Sequence, residues 1–328
     1  MVDNHNRTVN YLRLAVTDRC NLRCFYCMPE EGIDYVPRQN LLTYEELLRL
    51  IRIMAELGVS KVRITGGEPF LRKGLMGFLR ELVAIPGIQK VPITTNGTLL
   101  RKYLDELLEL GINSFNLSLD SLDKDRFFRI TRRDAFEEVM ACLELMLDRG
   151  VEVKINAVVM AGKNIEDILP MVALTEGRNL SVRFIEEMPF NGGGQGASSI
   201  EWNYHKILDH ISDRYPSLIK LQDPQFSTSM NFQVEGFQGS FGIIPAYSRS
   251  FCGTCNRIRL TPKGTIKTCL YDHGVFNLRD LLRAGATDQQ LADAVEAAVA
   301  NRSVDGFAAE ALNKSRGLAF ESMSSIGG

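Results

Sequence analysis

Tyr11-Leu12-Arg13-Leu14-Ala15-Val16-Thr17-Asp18-Arg19-Cys20-Asn21-Leu22-Arg23-Cys24-Phe25-Tyr26-Cys27-Met28-Pro29 is a strand that runs into a loop with three thiols. Over Tyr11–Thr17, apolar side chains and Arg13 fall on opposite faces, the period of two that marks a strand. The loop places its cysteines as CxxxCxxC. Three thiolates from one short loop can hold three corners of an iron–sulfur cube and leave the fourth iron open for chemistry. A structural zinc site would want a fourth protein ligand and paired CxxC arms, which this loop does not supply.

Outward from this stretch, strand-like and helix-like runs alternate about six times between residue 11 and about residue 188. The strands are expected at Tyr11–Thr17, Lys61–Thr65, Lys90–Asn96, Ser114–Asp120, Val151–Met160 and Leu180–Met188. The first helix opens on Thr43-Tyr44-Glu45-Glu46, a capping box, and closes before Gly58; Gly111 and Gly150 close later helices. Asp123-Lys124-Asp125-Arg126 reads as the solvated start of a helix. Six βα units are too few for a full eight-stranded barrel, so the expected fold is α/β, an incomplete (βα)6 TIM-like barrel with a lateral opening. The pattern fails at Asn191-Gly192-Gly193-Gly194-Gln195-Gly196, a flexible crossing to which no motif can be assigned. The expected division is residues 1–225 for the partial barrel and 226–328 for a smaller C-terminal α+β domain with a second cysteine set.

With 328 residues, 45% of them hydrophobic, the chain can bury one large core and a smaller appended part. A formal net charge of −2 removes any argument for nucleic-acid binding through bulk positive potential. Met1–Asn10 is polar, and no window approaches an apolar membrane span, so a soluble, cytoplasmic protein is expected. Seven cysteines without an export signal read as metal ligands rather than disulfides; six fall into two triplets and leave Cys142.

Strand phase carries the argument further. In five of the six strands one face is apolar and the other carries Arg13, Lys61, Arg63, Thr65, Thr94, Asn96, Asn116, Ser118, Lys154 and Asn156. A filled barrel would show branched apolar residues there, so a hollow one holding a charged ligand is expected; surface residues of an open sheet are the alternative. The motifs lie just past the C-terminal ends of strands, where parallel barrels build active sites. They are the cysteine loop, Thr65-Gly66-Gly67-Glu68-Pro69, Thr94-Thr95-Asn96-Gly97 and Ser118-Leu119-Asp120. Paired glycines let a ligand approach the backbone; alone, they also suit a tight turn.

The second cysteine set is Cys252-Gly253-Thr254-Cys255 with Cys269, and His273 follows four residues later, so a zinc ribbon is a direct rival. The next residues, Asn256-Arg257-Ile258-Arg259-Leu260, weigh against it. Arg257 and Arg259 point to one side of an extended segment and can grip a polyphosphate, although arginines on a polar surface strand would look the same.

The CxxxCxxC loop resembles the signature of the radical S-adenosylmethionine enzymes. Together with Arg63-Ile64-Thr65-Gly66-Gly67-Glu68-Pro69, Lys154-Ile155-Asn156, Arg183-Phe184-Ile185-Glu186-Glu187-Met188, the segment Cys252 to Arg259, Cys269 and the terminal Gly327-Gly328, it resembles the GTP 3′,8-cyclases of molybdenum cofactor biosynthesis over essentially the whole chain. The resemblance implies two [4Fe-4S] clusters, on Cys20, Cys24 and Cys27 and on Cys252, Cys255 and Cys269. It implies S-adenosyl-L-methionine at Tyr26, Gly67, Ser118 and Met188, and GTP at Arg13, Arg63, Thr94, Lys154, Arg257, Ile258 and Arg259. Arg13, Gly327 and Gly328 would serve catalysis, the two glycines by entering the active site. Met188 falls on the opposite strand phase from Arg183, so the strand's end or a bulge must reorient it. Implied partners are a reducing electron donor such as a flavodoxin and a downstream cyclic pyranopterin monophosphate synthase, with no nucleic acid and no membrane; a homodimer is left open. Two rivals stand beside this reading: a peptide-modifying radical enzyme, which would need more cysteines for its auxiliary clusters, and a zinc-ribbon binding module on a barrel scaffold.

Overall fold

The computed structural model describes residues 1–188, 200–315 and 322–327; the Asn191–Gly196 segment and Gly328 lie outside them. Six strands appear where the alternation places them: β1 (Tyr11–Ala15), β2 (Lys61–Thr65), β3 (Ile93–Thr95), β4 (Ser114–Ser118), β5 (Glu152–Val159) and β6 (Ser181–Glu186). They pair in sequence order and in parallel. β3 is shorter than the expected Lys90–Asn96 because Pro92 has no N–H for the ladder, and Lys90 keeps only an isolated bridge to Lys61.

The helices between these strands obey their local signals. Helix α1 (Tyr44–Glu56) starts on the capping box: Thr43 Oγ1 accepts from the Glu46 N–H at 3.2 Å, and Glu46 Oε2 accepts from the Thr43 N–H at 2.7 Å. After it, Gly58 takes a left-handed φ of 96°. Helices α2 (Leu75–Val83) and α3 (Leu104–Glu109) follow, and the Asp123 run opens α4 (Lys124–Thr131) with the Asp123 carboxylate accepting from the Arg126 N–H. Helices α5 (Phe136–Asp148) and α6 (Ile168–Ala173) complete the alternation. Leu12, Leu14, Val62, Ile64, Phe115, Leu117, Val153 and Ile155 are buried on the helix-covered face, in one core with α1, α2 and α5.

The boundary expected near residue 225 marks no break in the sheet. After α7 (Tyr204–Arg214), strands β7 (Leu218–Lys220), β8 (Met230–Val234) and β9 (Ser240–Ile244) form an antiparallel run whose last member pairs in parallel with β6. At the other edge, β10 (Arg257–Leu260) pairs in parallel with β1 and continues through β11 (Thr265–Lys267) to β12 (Phe276–Asn277). The sheet is mixed and has twelve strands in the order β12-β11-β10-β1-β2-β3-β4-β5-β6-β9-β8-β7. The parallel part therefore runs two strands beyond the six-fold repeat. β9 is reached by a hairpin and β10 from an irregular loop, so neither shows a βα period. β9 and β10 do not pair with each other, and the sheet stays open between them.

Helices α8 (Leu278–Arg283) and α9 (Asp288–Ala300) pack back onto α1, with Arg283 bonding Glu46 at 2.7 Å and Arg49 bonding Asp288 at 2.7 Å. Helix α10 (Gly306–Ser315) and the tail helix α11 (Met323–Ile326) end the described chain. No described helix is long and apolar enough to cross a membrane.

Candidate active site

A cavity of about 830 Å³ is lined by the polar faces of β10, β1, β2, β3, β4, β5 and β6. Side chains from seven adjacent strands meet around one space only if the sheet curves about it, which favours the hollow arrangement over a flat polar surface. Cys20, Cys24 and Cys27 stand at its end beyond the strands' C-termini, and Lys90, Gly111 and Glu152 at the other.

The cysteine loop is held by its neighbours' motifs. The Gly67 and Glu68 N–H groups donate to the carbonyls of Thr17 and Arg19, both at 2.8 Å. A Cβ on Gly67 would lie 2.2 Å from the Arg19 oxygen, so the paired glycines are required by the approach of two backbones as well as lying against the cavity. Glu68 is fully buried and accepts from the Phe70 and Asn96 N–H groups and from Thr95 Oγ1. Burial outweighs those bonds and pushes its carboxyl up to about 7. Tyr26 donates its hydroxyl to Asp120 Oδ2 at 2.7 Å, while Asp120 Oδ1 accepts from the Val158 N–H at 2.8 Å, tying the loop to β5. Burial lifts Asp120 to about 6 against the bonds from Tyr26 and Val158.

Burial also pushes the thiols up, Cys20 to about 11, Cys27 to about 12 and Cys24 well above its ordinary value. As thiolates they need positive charge that the protein hardly provides, and iron supplies it; the donor set fits a cluster. Among the described residues no three His, Cys, Asp or Glu side chains are gathered to share one ion, whereas a cluster takes each thiolate at a separate corner.

Below the loop the wall is cationic. Strand register sets Arg259, Arg13 and Arg63 side by side across β10, β1 and β2, and Arg257, Tyr11 and Lys61 on the next level down. Lys154 and Arg183 face them from β5 and β6. Burial, then the field of Arg259, holds Arg13 well below the usual guanidinium range; burial lowers Arg183 to about 10, and burial with Arg257 lowers Arg259 to about 10. Burial and then Arg183 and Arg63 bring Lys154 down to about 8. Burial alone would raise the Tyr11 phenol, but Arg63, Arg13 and Lys61 draw it to about 7. Asn116 Oδ1, Asn156 Oδ1 and Arg183 Nε are buried here without hydrogen-bond partners, as expected of a wall that meets a polar ligand.

Of the residues singled out in the sequence, Tyr26, Gly67, Ser118, Met188, Arg13, Arg63, Thr94, Lys154, Arg257 and Arg259 line this cavity. Met188 does so because β6 ends at Glu186, which frees it from strand phase. Among the residues assigned to S-adenosylmethionine and GTP, Ile258 is the exception: its side chain is fully buried in the core on the far face of β10. Lys61, which strand phase set on the polar face, and Arg183, which that reading did not include, belong with the cations. Tyr11 shares the phase of Arg13, and Asp120 that of Asn116 and Ser118, so the same period of two could have placed them on this wall.

The second cysteine set sits at the rim. Cys252, Cys255 and Cys269 are half-buried, and the wall in front of them is made by Phe251, Arg257 and Leu270. Burial raises Cys252 and lifts Cys269 to about 11, whereas Arg257 and Arg302 overcome the burial of Cys255 and bring it to about 6. The thiolate-favouring surroundings of Cys255 fit a metal ligand. The tail closes the same region: Arg259 Nη1 donates to the Gly327 carbonyl at 2.5 Å, and Ser322 Oγ donates to the Cys27 carbonyl at 2.6 Å. Gly327 has φ 76°, and a Cβ there would meet Thr65 Oγ1 at 2.4 Å, so only glycine fits.

An α/β sheet curved around a cavity, with a CxxxCxxC loop at the strands' C-terminal end, is the scaffold of a radical S-adenosylmethionine protein, and residues 14–175 match the Radical SAM superfamily while residues 180–307 match Molybdenum Cofactor Synthesis C. The chain is 39% identical to the mitochondrial GTP 3′,8-cyclase of Arabidopsis thaliana, covering 91% of this chain and 77% of that one. It is 38% identical to the GTP 3′,8-cyclase of Thermodesulfovibrio yellowstonii, covering 90% and 92%. This chain belongs to the GTP 3′,8-cyclase family within that superfamily. It is also 41% identical to human molybdenum cofactor biosynthesis protein 1 over 92% of this chain and 48% of that protein; it spans about half the length of several of the curated relatives it matches. Among solved structures, Streptococcus suis SuiB superposes with a TM-score of 0.60 at 16% identity, covering 90% of this chain and 67% of that one. That likeness concerns the fold.

Proposed function

We propose that this chain is a radical S-adenosylmethionine cyclase that converts GTP to (8S)-3′,8-cyclo-7,8-dihydroguanosine 5′-triphosphate, an early step of molybdenum cofactor biosynthesis. The observation that carries it is the convergence on one cavity of three loop cysteines and the cations Arg13, Lys61, Arg63, Lys154, Arg183, Arg257 and Arg259. A wall of that charge is costly to leave empty and suits a nucleoside triphosphate with about four negative charges.

The fold of the proposal is an incomplete barrel closed by the C-terminal region, with Cys20, Cys24 and Cys27 holding the first [4Fe-4S] cluster and Cys252, Cys255 and Cys269 the second. When bound, the first cluster with S-adenosylmethionine would supply a 5′-deoxyadenosyl radical able to remove the 3′ hydrogen of GTP, and the second would offer an open iron to the purine. Tyr26, Gly67, Ser118 and Met188 hold S-adenosylmethionine beside the first loop. The arginine row orients the triphosphate, and Lys154 and Arg183 bind it from across the cavity. Thr94, bonded by Arg63 Nη1 at 3.3 Å, sets that guanidinium's direction. The tail shields the reaction from water and from stray hydrogen donors. A reducing donor such as a flavodoxin and a downstream pterin synthase complete the setting.

Anaerobic turnover of GTP with dithionite and S-adenosylmethionine tests this, together with metal analysis. The expected result is a brown protein with about eight irons and matching sulfide that releases 5′-deoxyadenosine and the cyclised nucleotide together. Colourless zinc protein, or the absence of a paramagnetic centre after reduction, would overturn it.

A further inference from the structure

The polar segment Met1–Asn10 meets the second cysteine set from behind. Asp3 is 5% exposed and forms ion pairs with Arg7 at 2.6 Å and with Arg302 at 3.4 Å. Arg302, 4% exposed, then spans the cysteine site. Its Nε donates to the Thr268 carbonyl and its Nη1 to the Cys255 carbonyl, both at 2.8 Å, and its Nη2 donates to Cys255 Sγ at 3.2 Å. Arg7 Nη1 reaches the Cys252 carbonyl at 3.1 Å. One buried carboxylate thus anchors two guanidinium groups that hold the backbone at Cys252, at Cys255 and at Thr268, the residue before Cys269.

We infer that Arg302, with Asp3 as its counter-ion, is a positioning and charge-setting residue of the second cluster site. The inference rests on the reading that Cys252, Cys255 and Cys269 hold a cluster. Two guanidinium groups address the Cys255 sulfur, Arg302 and, at 3.4 Å, Arg257. They are not equivalent. Arg257 lines the cavity and is available to an incoming polyphosphate, whereas Arg302 does not line it. Arg302 therefore stays on the sulfur whether or not substrate is bound. Hydrogen bonds and positive charge at a ligand sulfur stabilise the more negative, reduced state of a cluster and raise its reduction potential. Asp3 opposes that effect through the guanidinium it shares, so the two residues set the potential with opposite signs.

The test is an EPR-monitored redox titration of reconstituted full-length chain, made in a Cys24→Ala background so that only the second cluster gives a signal. Arg302→Gln should shift the second cluster's potential downward, with Arg302→Lys recovering part of the shift. Asp3→Asn, which keeps the shape of the carboxylate but not its charge, should shift it upward. Opposite shifts support the inference. Equal potentials in all variants that retain the cluster, or shifts of the same sign, overturn it. If Arg302→Gln loses the cluster, the direction measured in Asp3→Asn decides. About four irons in the otherwise unaltered chain, instead of about eight, would overturn the two-cluster reading itself; eight irons with unmoved potentials would overturn this inference alone.

Discussion

Arg259, Arg13 and Arg63 occupy one level of three neighbouring strands, where each raises the cost of charging the next. Such a row is stable as a binding surface because a polyanion relieves it, and this makes affinity depend on how many of the surrounding groups are cationic. Two nearby groups change charge near neutrality: the Tyr11 phenol at about 7 and the Lys154 ammonium at about 8. Both lose a proton as pH rises: Lys154 loses its positive charge and Tyr11 gains a negative one, so each step lowers the net charge of the wall by one. GTP affinity is therefore expected to weaken as pH rises above about 7, roughly ten-fold for each 1.4 kcal/mol of attraction lost. Calorimetric titration with GTP across pH 6 to 9 should show the decline, while Tyr11→Phe and Lys154→Arg should each abolish part of it; an unchanged slope in both would refute the assignment. The period of two makes Arg13, Arg63, Thr94, Lys154, Arg257 and Arg259 readable from the order of residues alone. The pairings of Asp120 with Tyr26 and of Arg302 with Asp3 are not readable in that way, since the partners lie 94 and 299 residues apart and no local pattern encodes such pairs.

The elements show the same division. Helix α1 was legible to its capping box and its terminating glycine because both are local, whereas the parallel pairing of β9 with β6 and of β10 with β1 depends on contacts far along the chain. The cysteine loops are separable elements. Cys24→Ala should lose about four irons and all S-adenosylmethionine cleavage, while Cys252→Ala should also lose about four irons yet cleave S-adenosylmethionine and fail to place GTP. Normal product formation by Cys252→Ala would reduce the second site to a structural role. The tail is a third such element. Gly327 is wedged against Thr65 and Ala15 with its carbonyl on Arg259, so the tail touches the cationic wall. Its Ser322 also touches the first cysteine loop. Removing Gly327 and Gly328 should suppress cyclisation while leaving the iron content and 5′-deoxyadenosine release largely intact. Parallel loss of all three would show instead that the tail only holds the fold together.

At the scale of the whole molecule, the unexpected feature is that the C-terminal region completes the sheet begun by the N-terminal one. β10 covers the free edge of β1 and β9 that of β6, and Phe232, Phe241, Ile258 and Leu260 join the same core as Leu12, Leu14 and Phe184. Exposed edges of parallel strands offer unpaired backbone groups to other chains, and Leu12 and Leu14 would lose apolar cover along with their hydrogen-bonded neighbour. Arg283 on Glu46, Arg49 on Asp288 and the buried Asp3–Arg302 pair further bind the two ends of the chain. The surface pairs contribute little, about 1 kcal/mol or less each, so cooperativity must come from the shared sheet and core. Two consequences are measurable. Scanning calorimetry of the reconstituted protein should show a single unfolding transition, and a fragment of residues 1–225 should lose hydrogen-exchange protection at the β1 and β6 amides and aggregate. Two separate transitions, with a monomeric fragment whose β1 amides stay protected, would mean that the curved sheet stands without its C-terminal strands and that the cavity is closed by a detachable cover.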